Sequence, residues 1–123
     1  MSSVFGYVLD EHLPWRLFKY LRRHYPELPL YKIGDGFAPD LGTLDPQILI
    51  WCEANEFVLI TNNRKSMPGH LRDHIAEGNH SPGIFLLREW TRISAVADQL
   101  ALIAGASFGN EYRDQIIHLA LDD

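Results

Sequence analysis

The chain has 123 residues, 46% of them apolar and 22% charged, with a formal net charge of −5. That is one domain's length, with material for a modest core, and the acidic balance excludes tight, indiscriminate binding of nucleic-acid backbones over the whole surface. The single cysteine, Cys52, excludes an internal disulfide and a cysteine-based zinc cluster, and no apolar run approaches the roughly 18 residues that span a bilayer.

The opening Met1-Ser2-Ser3-Val4-Phe5-Gly6 has no basic start and leads straight into a strand, so no secretory signal is expected and a cytoplasmic location is. Phe5-Gly6-Tyr7-Val8-Leu9 reads as the first strand, ended by Asp10. Pro14 suits the first turn of a helix, where its missing N–H costs nothing. Leu13, Leu17, Phe18 and Leu21 then recur at helical spacing, with Arg16, Lys19, Arg22 and Arg23 on the other side, until Pro26 and Pro29 stop the pattern. Leu30-Tyr31-Lys32-Ile33 is a short second strand.

Residues 34–44 form a long glycine- and aspartate-containing loop, of a length that often carries function. Asp35 and Asp40 in it are read as solvated. Asp45-Pro46 starts a second helix, with Asp45 at the N-cap and Pro46 at the first helical position; Ile48, Leu49, Trp51 and Cys52 make its apolar face. Phe57-Val58-Leu59-Ile60 is uniformly apolar, as in a parallel strand covered on both faces. A third helix is expected over 68–77, closed by Gly78, a fourth strand at Ile84-Phe85-Leu86-Leu87, and a longer helix through Ile93, Val96, Ala97, Leu100 and Ile103 to near Gly105. Gln115-Ile116-Ile117-His118-Leu119 is the last strand. Strands alternating with helices give a single α/β domain, a three-layer α/β/α sandwich on a mainly parallel sheet with right-handed crossovers.

In such a sheet the tips at Asp10 and at Thr61-Asn62-Asn63 lie on the same carboxyl edge, where open α/β sheets bind ligands. The long loop delivers Asp45 to that edge too. Convergent carboxylates suit Mg²⁺ or Mn²⁺, which take oxygen ligands and keep several waters, and such an ion can hold a phosphodiester oxygen. Each residue also has a structural use: Asp10 and Asp45 as helix caps, Asn62-Asn63 as a turn. Arg64 and Lys65 follow directly and suit either substrate phosphates or a solvated basic turn.

Six histidines are present. His70 and His74 share a helix face, but no glutamate follows the first as the zinc-protease pattern requires, so a solvated or partly packed face is favoured. Gly34-Asp35-Gly36 lacks the remainder of a nucleotide fingerprint, Ser66 has no triad, and the glycosylation-like Asn79-His80-Ser81 is followed by Pro82.

Three blocks, Val8-Leu9-Asp10-Glu11-His12-Leu13-Pro14, Thr43-Leu44-Asp45-Pro46-Gln47-Ile48-Leu49-Ile50-Trp51 and Val58-Leu59-Ile60-Thr61-Asn62-Asn63, resemble the DUF5615 group of PIN-like proteins, related to the Mut7-C domain. Ser66-Met67-Pro68-Gly69-His70-Leu71 and Ser81-Pro82-Gly83-Ile84 are similar to one of its subgroups, and the resemblance spans about residues 4 to 90. It implies a PIN-like fold and a Mg²⁺- or Mn²⁺-dependent ribonuclease, many relatives being toxins of toxin–antitoxin pairs. RNA is the implied substrate and a small helix-turn-helix antitoxin the implied partner; apart from the resemblance, a homodimer is a candidate assembly and the hydropathy predicts no membrane association. The family's acidic positions fall on Asp10 and Asp45, with Glu11 beside the first in a supporting role. The further aspartate expected after the third strand is Asn63 here, and His12 stands where asparagine is usual. Asn63 as a third ligand brings no negative charge. The resemblance therefore implies either a nuclease whose third ligand is weakened or a catalytically degenerate binding or regulatory module. A small-molecule hydrolase using the same crevice has no support beyond the fold.

Overall fold

The computed structural model describes residues 6–88, 92–107 and 110–119. Its elements in chain order are β1 (Gly6–Leu9), α1 (Trp15–His24), β2 (Leu30–Lys32), α2 (Asp45–Asn55), β3 (Phe57–Thr61), α3 (Met67–Ala76), β4 (Ile84–Leu87), α4 (Ile93–Ala106) and β5 (Ile116–Leu119). Phe5, expected in the first strand, lies outside the described residues. The five strands form one sheet in the order β2-β1-β3-β4-β5, and every neighbouring pair is parallel. The fold is thus the expected α/β/α sandwich, with its sheet parallel throughout.

The layers follow from the strand period of two. Tyr7 and Leu9 of β1, Val58 and Ile60 of β3, and Phe85 and Leu87 of β4 enter one core with Leu17 and Leu21 of α1 and Val96 and Leu100 of α4. The alternate residues Val8, Leu59, Ile84 and Leu86 enter a second core with Ile48, Leu49 and Cys52 of α2 and Met67 and Leu71 of α3. With both faces covered, the central strands carry no polar alternation, which is why they read as continuous apolar runs. Tyr7 is fully buried; its hydroxyl donates to the Leu100 carbonyl at 2.7 Å, tying β1 to α4. Burial also raises the Tyr7 hydroxyl and the Cys52 thiol far above their ordinary pKa values. Cys52 is buried in the core, as its place on the apolar face of α2 predicts, and a thiol so raised is unreactive.

The chain leaves β1 toward β2 on one side and returns to β3 on the other. The sheet order therefore reverses between β1 and β3, and the carboxyl ends of such a pair are where open α/β sheets bind ligands. β1 and β3 are in register with Leu9 opposite Ile60, and the Asp10 N–H extends the ladder to the Ile60 carbonyl at 2.9 Å. Among the described residues no helix is long and apolar enough to cross a membrane.

Candidate functional site

Two rules of strand geometry place Asp10. It is one residue beyond Leu9, so its side chain points to the same face as Val8, the α2/α3 side. It is one step past the Leu9–Ile60 pair, so its neighbour on β3 is Thr61, on the same face as Leu59. The Thr61 hydroxyl, fully buried, donates to Asp10 Oδ2 at 2.7 Å. The same Thr61 oxygen accepts the Asn63 N–H at 3.1 Å, so one hydroxyl holds both the carboxylate and the turn that follows β3. Asp10 is 8% exposed, and among the described residues its Oδ1 has no hydrogen-bond partner although it is not a sealed atom.

Asp45 departs from the expected position by one residue: Leu44 is the cap and Asp45 already belongs to α2, with Pro46 following. No side chain caps this helix, which leaves the Asp45 carboxylate free for tertiary contacts. It remains favourably placed in the first turn, at the positive end of the helix dipole. Its Oδ2 accepts the Asn63 side-chain N–H at 2.9 Å. The orientation of the Asn63 amide follows from its neighbours: the Ser66 N–H needs an acceptor and takes Asn63 Oδ1 at 3.2 Å, which turns the amide nitrogen toward Asp45. Asn63 therefore bridges the start of α3 to the start of α2. Its oxygen, the atom expected to serve as a third ligand, accepts the Ser66 N–H through one of its two lone pairs.

The result is a continuous polar chain across the crevice, Asp10–Thr61–Asn63–Asp45. His70 approaches its far end, with Nε2 3.7 Å from Asp45 Oδ2. Helical spacing alone pairs His70 with His74 and does not reveal this contact. The available signal was the short distance from Asn63 to the first turn of α3. His74 is buried and belongs elsewhere: its Nε2 lies 3.0 Å from the His80 carbonyl and 3.2 Å from Glu53 Oε1. At that opposite edge His80 Nδ1 meets Asp114 Oδ2 at 2.8 Å, and Asp114 Oδ1 accepts the Ser81 N–H at 2.7 Å. Burial pushes the Asp114 carboxyl up, but the bonds from His80 and Ser81, with the charges of His80 and Arg113, outweigh it and hold the carboxyl below its ordinary value.

Glu11 points away from this polar chain. Its Oε1 accepts the Gly42 N–H at 2.7 Å, where Gly42 has a φ of +82°, a conformation glycine adopts without penalty. Glu11 thus anchors the 34–44 loop. Asp35, expected to be solvated, accepts the Lys32 N–H at 3.2 Å and pairs with the Lys32 ammonium at 3.6 Å, while the Asp40 side chain is exposed. Arg64 and Lys65 are exposed beside Asn63, with no carboxylate partner among the described residues.

A shallow concavity of about 120 Å³ lies on the α1 side of this edge, lined by Asp10, Glu11, Trp15, Phe18, Lys32 and Leu41 among others. A larger one of about 500 Å³ lies between the end of α1 and the end of α4. Its walls are mainly proline, alanine, glycine and leucine, with Glu27 its one carboxylate, so the convergent polar groups and the larger hollow do not coincide.

The donor set at Asp10 and Asp45 is all oxygen, as a hard divalent cation requires. Among the described residues no three His, Cys, Asp or Glu side chains are grouped to hold a metal. The donor types suit an oxygen-seeking ion that completes its shell with water, as Mg²⁺ often does, and the described residues form no closed protein cage. Comparison with protein-family models, with curated proteins and with solved structures finds no match.

Proposed function

We propose that this protein is a PIN-like, Mg²⁺- or Mn²⁺-dependent ribonuclease, acting in the cytoplasm as the toxin of a toxin–antitoxin pair with a small helix-turn-helix antitoxin. The observation that carries the reading is the Asp10–Thr61–Asn63–Asp45 chain, which draws two carboxylates from separate helix–strand units to the crevice where the strand order reverses. The resemblance of the blocks around Asp10, Asp45 and Asn63 to DUF5615 proteins supports the same assignment.

Asp10 and Asp45 would hold the ion. When bound it supplies Lewis-acid polarisation of a phosphodiester oxygen. Thr61 keeps Asp10 oriented through the 2.7 Å bond, and Asn63 does the same for Asp45 at 2.9 Å. Arg64 and Lys65, at the rim, suit phosphates flanking the scissile bond. His70 beside Asp45 is placed to exchange a proton at that end of the crevice.

A second reading, a catalytically degenerate binding or regulatory module, is favoured by one specific observation: the Asn63 amide already satisfies Asp45 where a third acid would have brought charge. Incubation of labelled single-stranded RNA with Mn²⁺ decides between them. The ribonuclease reading expects cleavage by the wild type and none by Asp10→Ala. A wild type silent with every divalent ion, beside an Asn63→Asp variant that cleaves, transfers the assignment to the degenerate module.

A further inference from the structure

Helix α1 concentrates positive charge in an acidic protein. It carries four of the chain's eleven Lys and Arg and none of its sixteen Asp and Glu. None of Arg16, Lys19, Arg22 or Arg23 pairs with a carboxylate among the described residues. Arg22 is used internally: it donates to the Leu30 carbonyl at 2.7 Å and lies 5.3 Å from the Phe18 ring. Arg16, Lys19 and Arg23 are exposed, and their spacing of three, four and seven puts them on one helix face.

That face also presents a flat aromatic surface. Trp15 is 64% exposed at the start of the helix, with the Lys19 ammonium 5.3 Å from its ring. Trp15, Arg16, Lys19, Tyr20, Arg23 and His24 line a shallow groove of about 280 Å³. Trp15 also lines the concavity beside Asp10, so one residue borders both the basic groove and the carboxyl edge of β1. Asp98 of α4 borders the groove, accepting from Tyr25 at 2.6 Å and Tyr20 at 3.5 Å.

We infer that the α1 face is a single-stranded RNA track: a base stacks on Trp15 while Arg16, Lys19 and Arg23 take successive phosphates, and the strand runs on toward Asp10. Exposed aromatic rings interleaved with cations are the means by which proteins hold unpaired strands, since every base has a face to stack. A duplex keeps its bases stacked internally and leaves Trp15 without a partner. An anionic membrane is disfavoured because the apolar side of α1, with Leu17 and Leu21, is buried in the core and unavailable for insertion. The inference rests on the RNA-directed reading of the crevice and adds where the strand lies.

The test measures binding without chemistry. The probe is a fluorescein-labelled oligo(rU) of about twelve nucleotides, titrated by anisotropy in EDTA between about 50 and about 200 mM NaCl. Three phosphate contacts on a single strand make the wild-type log–log salt slope steeper than that of the Arg16→Gln/Lys19→Gln/Arg23→Gln triple variant by about two. Trp15→Ala weakens binding about tenfold with the slope unchanged, and Trp15→Phe recovers most of the loss. Circular dichroism melting checks that each variant is folded. Polyphosphate, duplex RNA and phosphatidylserine vesicles serve as competitors. The track is overturned by undiminished affinity in Trp15→Ala, by an unchanged slope in the triple variant, or by a protein that takes up polyphosphate or vesicles as readily as the oligonucleotide. Binding with these dependences in a protein that never cleaves keeps the track and removes the ribonuclease reading. Cleavage undiminished in both variants keeps the ribonuclease and removes the track.

Discussion

Asn63→Asp tests whether the Asn63 amide bridges the crevice. The wild-type side chain donates to Asp45 Oδ2 at 2.9 Å. Losing a hydrogen bond to a charged acceptor costs about 1.5–3 kcal/mol. The new carboxylate also faces Asp45, and two unit charges about 4 Å apart repel by about 1 kcal/mol in bulk water and about 4 kcal/mol at an effective dielectric of about 20. The Asp45 side chain is 21% exposed, so solvent and side-chain rotation relieve part of this, and a total of about 2–4 kcal/mol is expected without divalent ions. For a chain of this size that lowers the melting midpoint by about 10 °C. Mn²⁺ should reverse the loss, because the paired carboxylates that repel each other attract the cation; at about a hundred times its Kd an ion returns about 2.7 kcal/mol. Asn63→Ala is the control: it loses the contacts to Asp45 and Ser66 but adds no charge, so its deficit should not respond to Mn²⁺. Differential scanning calorimetry in EDTA and in a Mn²⁺ series reads all three proteins. An Asn63→Asp midpoint equal to wild type in EDTA, or one no more sensitive to Mn²⁺ than wild type, refutes the reasoning.

Thr61→Val should cost about 2–4 kcal/mol, because it leaves the buried Asp10 carboxylate without its hydroxyl donor and the Asn63 N–H without an acceptor; Thr61→Ser should recover most of it, and equal urea midpoints for valine and threonine would sink the assignment. The Asp114 carboxyl is held below its ordinary value of 3.8, so the stability it contributes is whole above about pH 4 and lost as pH falls through the lowered value. His80→Ala removes one of the bonds that depress it and should shrink the stability difference between about pH 6 and about pH 3, read as urea midpoints; identical pH dependences in both proteins would contradict this.

Much of the framework was legible locally. Apolar runs at 57–60 and 84–87 announced covered strands, and the helical spacing of Leu17 and Leu21 announced the buried stripe of α1, because side-chain periodicity reports which face is buried. The carboxyl-edge position of Asp10 followed from its place after β1. The Asn63 bond was not legible: an asparagine after a strand can ligate, turn the chain or donate, and only its neighbours choose among these. Ser66 takes the oxygen and Asp45 the nitrogen. Glu11 was grouped with Asp10 by adjacency, yet consecutive residues at a strand end point apart, and Glu11 went to the loop at Gly42. His70 and His74 share a helix face, but their separation along the axis was enough to send one toward Asp45 and the other toward Glu53 and His80.

The sequence by itself determined the order and kind of the elements, the two-sided burial of the sheet and the presence of an acid at the tip of β1. These depend on residues a few positions apart, and backbone geometry converts such spacings directly into faces. Only the tertiary structure decided that β1 lies between β2 and β3, that Thr61 is the neighbour of Asp10 across 51 positions, and that Asn63 satisfies Asp45 across 18. Strand order and register arise from packing and pairing between distant segments, and a hydrogen bond has a partner only once that register exists.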